Sequence, residues 1–298
     1  MRGQIVKGIA GFYFVKSGET IYRCKARGLF KKHGMKPAVG DSVMFNEPVG
    51  EDEGLITEIL PRKNSFIRPP LSNVDRMVVV TAAARPDPVL QVIDKLLLTA
   101  EQAGTDPVIC INKCDLATGP EGDEKVSATI EELKKIYAGI YPVVCTSKED
   151  DESLEELKDL MRGRTTALAG PSGTGKSTIL NRLLEGEHME TGRISDKSLR
   201  GRHTTRHVEL FSLDEEGSGI FDTPGFTSFD LPRIEAADIG RCFPEIEELA
   251  PGCRYDDCMH MAEPDCAVKE ALDEGRIHRS RYDSYCAFVK EAQSQKQY

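Results

Sequence analysis

The sequence predicts a multi-domain protein with a small N-terminal β-barrel, a central α/β domain and a small, mostly helical C-terminal domain. Short segments rich in β-branched and aromatic residues fill residues 4–60 and are separated by turn residues. From residue 76, strand-like and helix-like segments alternate. After about residue 230, proline, cysteine and acidic residues precede two helical patterns. We expect domain limits of 1–66, 67–230 and 231–298.

The composition is that of a globular protein rather than a membrane protein. Of the 298 residues, 39% are hydrophobic and 30% are charged. The longest nearly uncharged apolar run, 77–84, is far shorter than the roughly 18 residues that a membrane span needs. The first residues lack the apolar stretch of a secretory signal. We therefore expect a cytoplasmic, monomeric protein with reduced thiols and no membrane partner.

Five short strands are predicted in the N-terminal region. They lie at 4–10, 12–15, 20–26, 42–45 and 55–60, with turn residues between them. Five short strands of this kind indicate a small closed barrel. The segment 62–70 contains two consecutive prolines, which hold a chain extended, so it is predicted to be an exit linker.

The barrel region is basic, whereas the rest of the chain is acidic. The formal net charge is -10, yet residues 1–68 hold twelve Lys or Arg against seven Asp or Glu, which leaves -15 for the other residues. Cations that contact phosphates and rings that stack on bases are what OB-fold barrels use to bind RNA. An OB-fold RNA-binding domain is therefore predicted, with Phe14 and Tyr22 expected in its core. The cations are Lys16, Arg23, Lys25, Arg27, Lys31, Lys32 and Lys36, and the rings are Phe12, Tyr13, Phe14, Tyr22 and Phe30.

Alternating strands and helices predict the central domain. Strands are expected at 76–82, 107–112, 141–145 and 166–169, and helices at 88–103 and 126–138. Ser153 and Glu156 have the spacing of a capping box, which predicts the start of a further helix. Strands that alternate with helices form a parallel sheet with both faces covered.

A complete phosphate-binding loop lies between the strand 166–169 and a predicted helix. Its glycines let successive backbone N–H groups point at the α and β phosphates of a nucleotide. The Lys176 ammonium is expected to reach the β and γ phosphates, and the Ser177 hydroxyl to bind Mg²⁺. A strand before the loop and a helix after it are the context that this motif requires. The loop residues are Gly170, Pro171, Ser172, Gly173, Thr174, Gly175, Lys176, Ser177 and Thr178.

The base of the nucleotide is predicted to be guanine. Asn112, Lys113 and Asp115 follow a predicted strand, at the edge where open α/β sheets bind ligands. The Asp115 carboxylate can accept both hydrogens from the N1–H and 2-amino edge of guanine, whereas adenine has no such pair of donors. Ser147 lies in the segment 145–148, which follows the next strand and is predicted to support the base. GTP and GDP are therefore expected ligands.

A segment after the phosphate loop completes the predicted site. Asp222 is expected to hold Mg²⁺ through water, and the N–H of Gly225 to meet the γ-phosphate. The base-binding residues precede the phosphate loop here, whereas in most GTPases they follow it, so a circularly permuted GTPase domain is predicted. The chain after Gly225 leads directly into the C-terminal domain, and hydrolysis is expected to reposition that domain.

The C-terminal domain is predicted to bind one zinc ion. Cys253, Cys258, His260 and Cys266 supply three thiolates and one imidazole within 14 residues. Four protein ligands leave no open position, so the ion is expected to be structural. It would stabilise a segment that has few large apolar residues.

Together these features resemble those of the small ribosomal subunit biogenesis GTPases, the RsgA family. The resemblance rests on the phosphate loop, the stretches 201–205 and 222–225, the permuted order, the barrel and the Cys/His segment, and it covers essentially the whole chain. It implies an OB-fold, a permuted GTPase domain and a zinc domain. It also implies slow GTP hydrolysis that is stimulated by the small ribosomal subunit, with rRNA as a partner, in late maturation of that particle.

The group that orients the attacking water must differ from the glutamine common in GTPases. Phe226 occupies that position, and a phenyl ring cannot orient water. His203 and His207 are the candidates, and the resemblance favours His203 because RsgA proteins carry a histidine before paired threonines. Thr204 or Thr205 is expected to complete the Mg²⁺ shell, and spacing does not choose between them. The predicted catalytic residues are His203, Lys176 and Thr205.

Three functions are consistent with the residues, and the first of them takes its partner from the resemblance. The first is an Mg²⁺-dependent GTPase that acts on the small ribosomal subunit and its rRNA. The second is a non-enzymatic RNA-binding scaffold with a weak GDP/GTP-binding domain, which Phe226 favours. The third is an ATPase or a small-molecule kinase. The guanine-type residues beside a complete phosphate loop favour the first.

Overall fold

A computed structural model describes residues 1–28, 30, 35–48, 52–118, 123–148, 150–191, 208–223 and 231–295. The strands are β1 (Arg2–Ile9), β2 (Phe12–Ser17), β3 (Thr20–Ala26), β4 (Ser42–Asn46), β5 (Gly54–Ile59), β6 (Ser65–Phe66), β7 (Leu71–Ser72), β8 (Arg76–Ala82), β9 (Asp106–Asn112), β10 (Val143–Cys145), β11 (Thr165–Ala169), β12 (Glu209–Ser212) and β13 (Gly219–Asp222). The α-helices are α1 (Leu90–Gln102), α2 (Asp115–Thr118), α3 (Glu124–Tyr137), α4 (Asp151–Met161), α5 (Lys176–Thr191), α6 (Pro244–Leu249), α7 (Ala267–Asp273) and α8 (Arg279–Gln295). Two 3₁₀ helices span Ala236–Cys242 and Ala250–Gly252. Within these ranges, no helix combines the length and the apolar character that crossing a membrane requires.

The chain forms two compact units, each assembled from three separate stretches. The first comprises Met1–Met77, Glu155–Leu168 and Lys176–Phe226. The second comprises Val78–Leu154, Ala169–Gly175 and Thr227–Tyr298. The domain limits expected from the sequence, 1–66, 67–230 and 231–298, stay a prediction.

The predicted five-stranded barrel is confirmed in the first unit. β1 pairs with β2 and β4, β3 pairs with β2 and β5, and β4 pairs with β5, so the strands close on themselves. Inward-facing residues alternate along each strand, and Ile5, Val15, Phe45 and Ile56 are at most 1% exposed. Tyr22 packs against the Phe45 ring at a centroid distance of 5.2 Å. Tyr22 is only half-buried, although it lies opposite the buried Val15. Phe14 is also half-buried and lies opposite the exposed Arg23, so the expectation that it belongs to the core is wrong.

Further strands of the first unit continue from the barrel. β12 pairs antiparallel with β1 and with β13, and β13 pairs parallel with β11. Lys7 of β1 lies opposite Glu209 of β12, and its ammonium donates to the Glu209 carboxylate at 2.7 Å. β12 thus joins the barrel to the strand that ends at Asp222.

The expectation of an extended linker at 62–70 is wrong. β6 and β7 form an antiparallel ribbon, so the chain folds back on itself. Leu71 of β7 is fully buried, and this burial stabilises the ribbon relative to an extended chain. Arg62 fixes the start of the segment, because its Nε donates to the buried Asp41 carboxylate at 2.6 Å.

The second unit contains a sheet with the strand order β10-β9-β8, and the α/β prediction is confirmed. β10 and β9 are parallel. Residues 78–80 of β8 are fully buried, as expected for a strand covered on both faces. The helix α1 buries one apolar face that includes Ile93, Leu96 and Leu97.

The capping box predicted at Ser153 and Glu156 is wrong. α4 begins at Asp151, and the Asp150 carboxylate accepts from the backbone N–H of Glu152 at 3.0 Å and of Ser153 at 3.3 Å. Asp150 is therefore the N-cap, since a carboxylate satisfies two free N–H groups at the positive end of the helix.

The C-terminal part of the second unit is mostly helical, as predicted. Its helices pack around a core that contains Ile239, Phe243, Ile246 and Phe288, each at most 2% exposed. Leu98 of α1 belongs to the same core. The apolar contacts therefore join this region to the first helix of the unit.

A buried cluster of charged groups crosses that core, and nothing in the sequence pattern predicts it. Arg281 of α8 is fully buried and donates to Asp94 Oδ1 and to Glu245 Oε1, both at 2.7 Å. The Tyr137 hydroxyl also donates to Asp94, at 2.9 Å. Burial raises the pKa of Asp94. Burial alone would lower the pKa of Arg281, but the two carboxylates raise it, so the guanidinium is charged.

Candidate functional site

Two glycines of the phosphate loop are required by their surroundings. Gly170 has a φ of 148°, and a Cβ there would lie 2.1 Å from the Val80 carbonyl oxygen. Gly175 has a φ of 98°, and a Cβ there would lie 2.1 Å from Asn112 Nδ2. Both the backbone conformation and the close approach exclude a larger residue. The loop therefore packs against β8 and against a residue that the sequence assigned to nucleotide binding.

A chain of hydrogen bonds runs from β9 to the phosphate loop. Asn112 Nδ2 donates to the Thr174 carbonyl at 2.8 Å, and Asn112 Oδ1 accepts from the Thr146 hydroxyl at 3.1 Å. The Thr146 hydroxyl also lies 3.1 Å from Cys110 Sγ, and because its one proton goes to Asn112, the Cys110 thiol is the donor. All four residues are buried, so the network fixes the Asn112 side chain against the loop.

Lys113 and Asp115 lie at the turn between β9 and α2. Lys113 has a φ of 66°, and its ammonium donates to the Arg85 carbonyl oxygen. Asp115 begins α2, and its Oδ1 is buried without a hydrogen-bond partner in the described part of the chain. Such an oxygen costs free energy until a donor reaches it. The donors on the N1–H and 2-amino edge of guanine would meet that need.

Three further residues of the predicted site belong to the first unit. Lys176 and Ser177 open α5, and the N–H groups at the start of a helix point away from the helix in a direction that suits a bound anion. Burial lowers the pKa of the Lys176 ammonium, and a phosphate beside it would have the opposite effect. Asp222 ends β13, which pairs in parallel with β11.

The other described loop residues are accessible to a ligand. Ser147 and Pro171 are half-buried, whereas Ser172, Gly173 and Thr178 are exposed. The assignments to His203, Thr204, Thr205, His207, Gly225 and Phe226 lie outside the described residues. The water-orienting histidine and the threonine ligand of Mg²⁺ therefore stay predictions.

Three cysteines and a histidine of the second unit form a group that fits a zinc ion. The candidate ligand atoms of Cys253, Cys258, His260 and Cys266 all lie within 4.8 Å of one another. Cys253 Sγ is 3.8 Å from Cys266 Sγ and 3.4 Å from His260 Nδ1. Tetrahedral zinc, with Zn–S of about 2.3 Å and Zn–N of about 2.0 Å, places its ligands about 3.8 Å (S to S) and about 3.5 Å (S to N) apart. The spacing therefore matches a closed tetrahedral site.

The surroundings of His260 favour its role as a ligand. Only one residue separates His260 from Cys258 in the sequence. The positive φ of His260, 54°, turns the chain there, so both side chains can face the same point. Two hydroxyls hold the turn, since Tyr282 donates to the His260 carbonyl at 2.6 Å and Tyr285 to the Met259 carbonyl at 2.7 Å. Burial lowers the pKa of His260, which favours the neutral imidazole that binds metals.

Gly175→Ala is expected to weaken nucleotide binding. The added Cβ would displace the Asn112 amide, which breaks its hydrogen bond to Thr174, and an L-residue at this φ is strained. A lost buried hydrogen bond together with the strain should lower the affinity for GTP by about 10- to 100-fold. Titration with a fluorescent GTP analogue measures this change.

Gly139→Ala is the matched control for that experiment. A Cβ at Gly139 would meet nothing within 4 Å, so this variant should bind the analogue as the wild type does. Equal affinities of the two variants would contradict the role of the contact between the phosphate loop and β9.

The fold and the site define a circularly permuted P-loop GTPase that follows a barrel and precedes a Cys/His cluster. The RsgA GTPase family matches residues 59–232, and the RsgA N-terminal domain matches residues 2–56. The chain belongs to the RsgA GTPase family and is a GTP-hydrolysing enzyme.

Full-length relatives and solved structures agree with this assignment. The small ribosomal subunit biogenesis GTPase RsgA of Alkaliphilus metalliredigens is 42% identical, over 100% of this chain and 99% of its own length. The protein of the same name from Agathobacter rectalis is 45% identical over 100% of both chains. The crystal structure of YloQ, described as a circularly permuted GTPase, has a TM-score of 0.79 at 34% identity and covers 99% of this chain and 95% of its own. YjeQ from Thermotoga maritima has a TM-score of 0.81 at 33% identity and covers 98% of each chain.

Sequence reasoning missed two residues of the site. Thr146 lies in the segment 145–148, where only Ser147 received a role, yet its hydroxyl is what connects to Asn112. A small hydroxyl residue directly after a buried strand is a sequence feature that could have predicted this role of Thr146. Arg85 accepts from Lys113 through its backbone carbonyl. Every residue has such a carbonyl, so the residue type at position 85 does not predict this contact.

Proposed function

We propose that this GTPase hydrolyses GTP to GDP and phosphate on the small ribosomal subunit and acts in late maturation of that particle. The relatives that match its whole length are named for biogenesis of that subunit. The main observation in support of GTP binding is the hydrogen bond from the Asn112 side chain to the Thr174 carbonyl. This bond joins the loop assigned to guanine to the phosphate loop. Membership of a GTPase family favours this function over the non-enzymatic scaffold.

In this proposal the phosphate loop and α5 hold the triphosphate. The Lys176 ammonium pairs with the β and γ phosphates and stabilises the charge that develops during phosphoryl transfer. Asp115 binds the guanine edge, and Ser147 supports the base. The hydroxyl of Ser177 and the carboxylate of Asp222 are hard oxygen donors of the kind that suits Mg²⁺, with Thr205 or Thr204 as a further ligand. When bound, Mg²⁺ supplies charge neutralisation at the phosphates.

His203 is proposed to orient the attacking water, with His207 as the second candidate. Phe226 has no polar atom with which to hold a water molecule, so another side chain must orient the attacking water. A neutral imidazole nitrogen can accept a proton from water and align its lone pair with the γ-phosphate. The backbone N–H of Gly225 is proposed to contact the γ-phosphate.

The barrel is proposed to bind rRNA through a surface formed by Phe12, Arg23 and Lys25. The Arg23 guanidinium carbon lies 3.9 Å from the centroid of the Phe12 ring, and Lys25 Nζ lies 5.2 Å from it. Both cationic side chains are 54% exposed. A ring flanked by cations offers stacking to a base and charge to a phosphate. Glu53 pairs with both cations, at 3.6 Å and 3.2 Å, so a phosphate would have to displace this carboxylate.

GTP turnover with purified ribosomal subunits tests the proposed function. We expect slow hydrolysis by the protein alone, marked stimulation by small subunits and none by large subunits. Stimulation by both subunits alike would contradict the assignment to the small subunit. No turnover under any condition would instead favour the scaffold.

Asp115→Asn is expected to move the base preference from guanosine to xanthosine nucleotides. An amide at position 115 cannot accept both hydrogens of the guanine edge, but its NH₂ can donate to the 2-carbonyl of xanthine. The affinity for GTP should fall by about 10- to 100-fold, the effect of losing hydrogen bonds to a charged group. Competition between GTP and xanthosine triphosphate measures the shift.

Asp159→Asn is the control for this change of preference. It makes the same chemical change at an exposed carboxylate of α4 that pairs with Arg162. Its base preference should be that of the wild type. An unchanged GTP preference in Asp115→Asn would refute the guanine assignment.

Cys253, Cys258, His260 and Cys266 are proposed to hold one structural zinc ion. Chelation is expected to unfold the segment around these residues selectively, because few apolar contacts replace the metal bonds there. Hydrogen exchange before and after a chelator measures this, with the barrel strands as the internal reference. Metal-free protein with unchanged protection in the segment would contradict the proposal.

The protein is proposed to act as a monomer in the cytosol. All nine cysteines lie in the described part of the chain and none of them is in a disulfide, which is the state that a reducing compartment maintains. Light scattering of the purified protein with and without GTP tests the monomeric state.

A further inference from the structure

Two half-buried cysteines lie beside each other at the loops assigned to guanine. Cys114 directly precedes Asp115, and Cys145 is the last residue of β10. The Cys114 backbone N–H donates to the Thr146 carbonyl at 3.1 Å, and Cys145 lies opposite Ile111 in the parallel register. These backbone contacts bring the two residues together. The Cys114 thiol donates to the carbonyl of Ile111 at 3.2 Å, and Ile111 is the residue that lies opposite Cys145.

The surroundings distinguish this pair from the neighbouring third thiol. Cys110 is fully buried and its thiol is engaged with the Thr146 hydroxyl, so it is inaccessible to a reagent. Cys114 and Cys145 are both partly accessible. The hydrogen bond to Cys145 and burial raise the pKa of Cys114, while the Lys134 ammonium of α3 opposes this shift. The Cys114 thiol is therefore mostly protonated at neutral pH, so an excess of oxidant is needed for it to react.

We propose that Cys114 and Cys145 are a redox-modification site whose disulfide weakens the binding of guanine nucleotides. The oxidant is a low-molecular-weight disulfide. The thiolate of one cysteine attacks a sulfur of the reagent, forms a mixed disulfide and releases one reagent thiol. The other cysteine attacks the mixed disulfide and releases the second. Two cysteine thiols lose two protons and two electrons, and one reagent disulfide becomes two thiols.

The position of the pair explains why the bond would affect the nucleotide. A disulfide bond of about 2.05 Å would remove the proton that the Cys114 thiol now donates to the Ile111 carbonyl and would draw its sulfur toward Cys145, so the two loops must shift. Cys114 would move the adjacent Asp115, which is assigned to the guanine edge. Cys145 would move Thr146, whose hydroxyl holds Asn112 against the phosphate loop. This inference rests on the proposed nucleotide site.

The test compares reduced and oxidised full-length protein with its metal retained. The protein is treated with excess oxidised glutathione, the disulfide is mapped by peptide mass spectrometry, and the affinity for a fluorescent GDP analogue is measured. We expect a disulfide between Cys114 and Cys145 and an affinity at least about tenfold weaker, equivalent to one lost hydrogen bond to a charged group. A reducing agent should restore the affinity, and bound GTP should slow the oxidation.

Three variants identify the cysteines that respond. Cys114→Ser and Cys145→Ser should each show no change between treated and untreated samples. Cys286→Ser removes another half-buried thiol and should respond as the wild type does. If the reduced wild type binds no guanine nucleotide, the proposed nucleotide site is wrong. If it binds but the disulfide does not form, or forms without changing the affinity, the redox site is overturned.

Discussion

Lys176→Ala is expected to abolish most GTP hydrolysis while the fold stays intact. Lys176 opens α5 directly after the phosphate loop, and its ammonium is the cation assigned to the β and γ phosphates. Removing a group that stabilises transition-state charge costs about 100- to 1,000-fold in rate. Steady-state turnover measures the loss, and circular dichroism checks the fold. The variant should not be less stable, because burial of the ammonium is itself unfavourable, as its lowered pKa indicates.

The pH dependence of binding gives this prediction a second readout. Only the protonated Lys176 attracts phosphate, and its pKa in the free protein lies below the ordinary lysine value. The affinity of the wild type for GTP should therefore be constant below that pKa and weaken as the pH rises through it. Lys176→Ala should lack this dependence.

Lys158→Ala is the control for the loss of a lysine. Lys158 lies on α4 and pairs with Glu155 at the surface, so its removal should leave turnover unchanged. If Lys176→Ala hydrolysed GTP at nearly the wild-type rate, the assignment of this loop to phosphate binding would be wrong.

The parts of the molecule that sequence reasoning predicted are those whose determinants are local. The barrel could be predicted because five short strand-like segments are separated by turn residues. The phosphate loop follows from glycines whose positive φ the structure confirms at Gly170 and Gly175. The four candidate zinc ligands lie within one short segment, so their spacing in the sequence was enough to predict that they come together around one ion. In each case a few adjacent residues carry the information.

The parts that it missed depend on contacts between distant segments. The ribbon at 65–72 forms because Leu71 becomes buried, which no local pattern of prolines shows. The cap of α4 is a local exception, since Asp150 and Ser153 are both capping residues and only the Asp150 carboxylate accepts from two N–H groups at once. Cys114 and Cys145 become neighbours only when β9 and β10 pair. Such contacts are set by packing, and the residues alone do not specify them.

Arg281→Met is expected to cause the largest loss of stability. Arg281 is fully buried between Asp94 and Glu245, and its removal leaves the fully buried Asp94 without a cation. Removing one partner of a buried ion pair destabilises a protein by about 3 to 5 kcal/mol. Urea unfolding followed by circular dichroism measures the change. The helix α8 should lose protection from hydrogen exchange first, since Arg281 joins it to α1 and α6.

The pH dependence of that variant identifies Asp94 as the group left unpaired. Burial raises the pKa of Asp94 in the folded state and the Arg281 guanidinium opposes this rise, so removal of Arg281 should raise the pKa further. The folded state then binds a proton more tightly than the unfolded state, so stability increases as the pH falls through the raised pKa. Asp94→Asn combined with Arg281→Met should remove this dependence.

Arg279→Met on the same helix separates burial from the loss of charge. Arg279 pairs with Asp283 at 2.9 Å, but their side chains are 75% and 55% exposed. An exposed pair one helical turn apart contributes below about 0.5 kcal/mol, so this variant should unfold close to the wild type. If Arg281→Met were no less stable than Arg279→Met, the buried charges would not be what holds α8 to α1. The apolar core around Phe243 and Phe288 would then carry that junction alone.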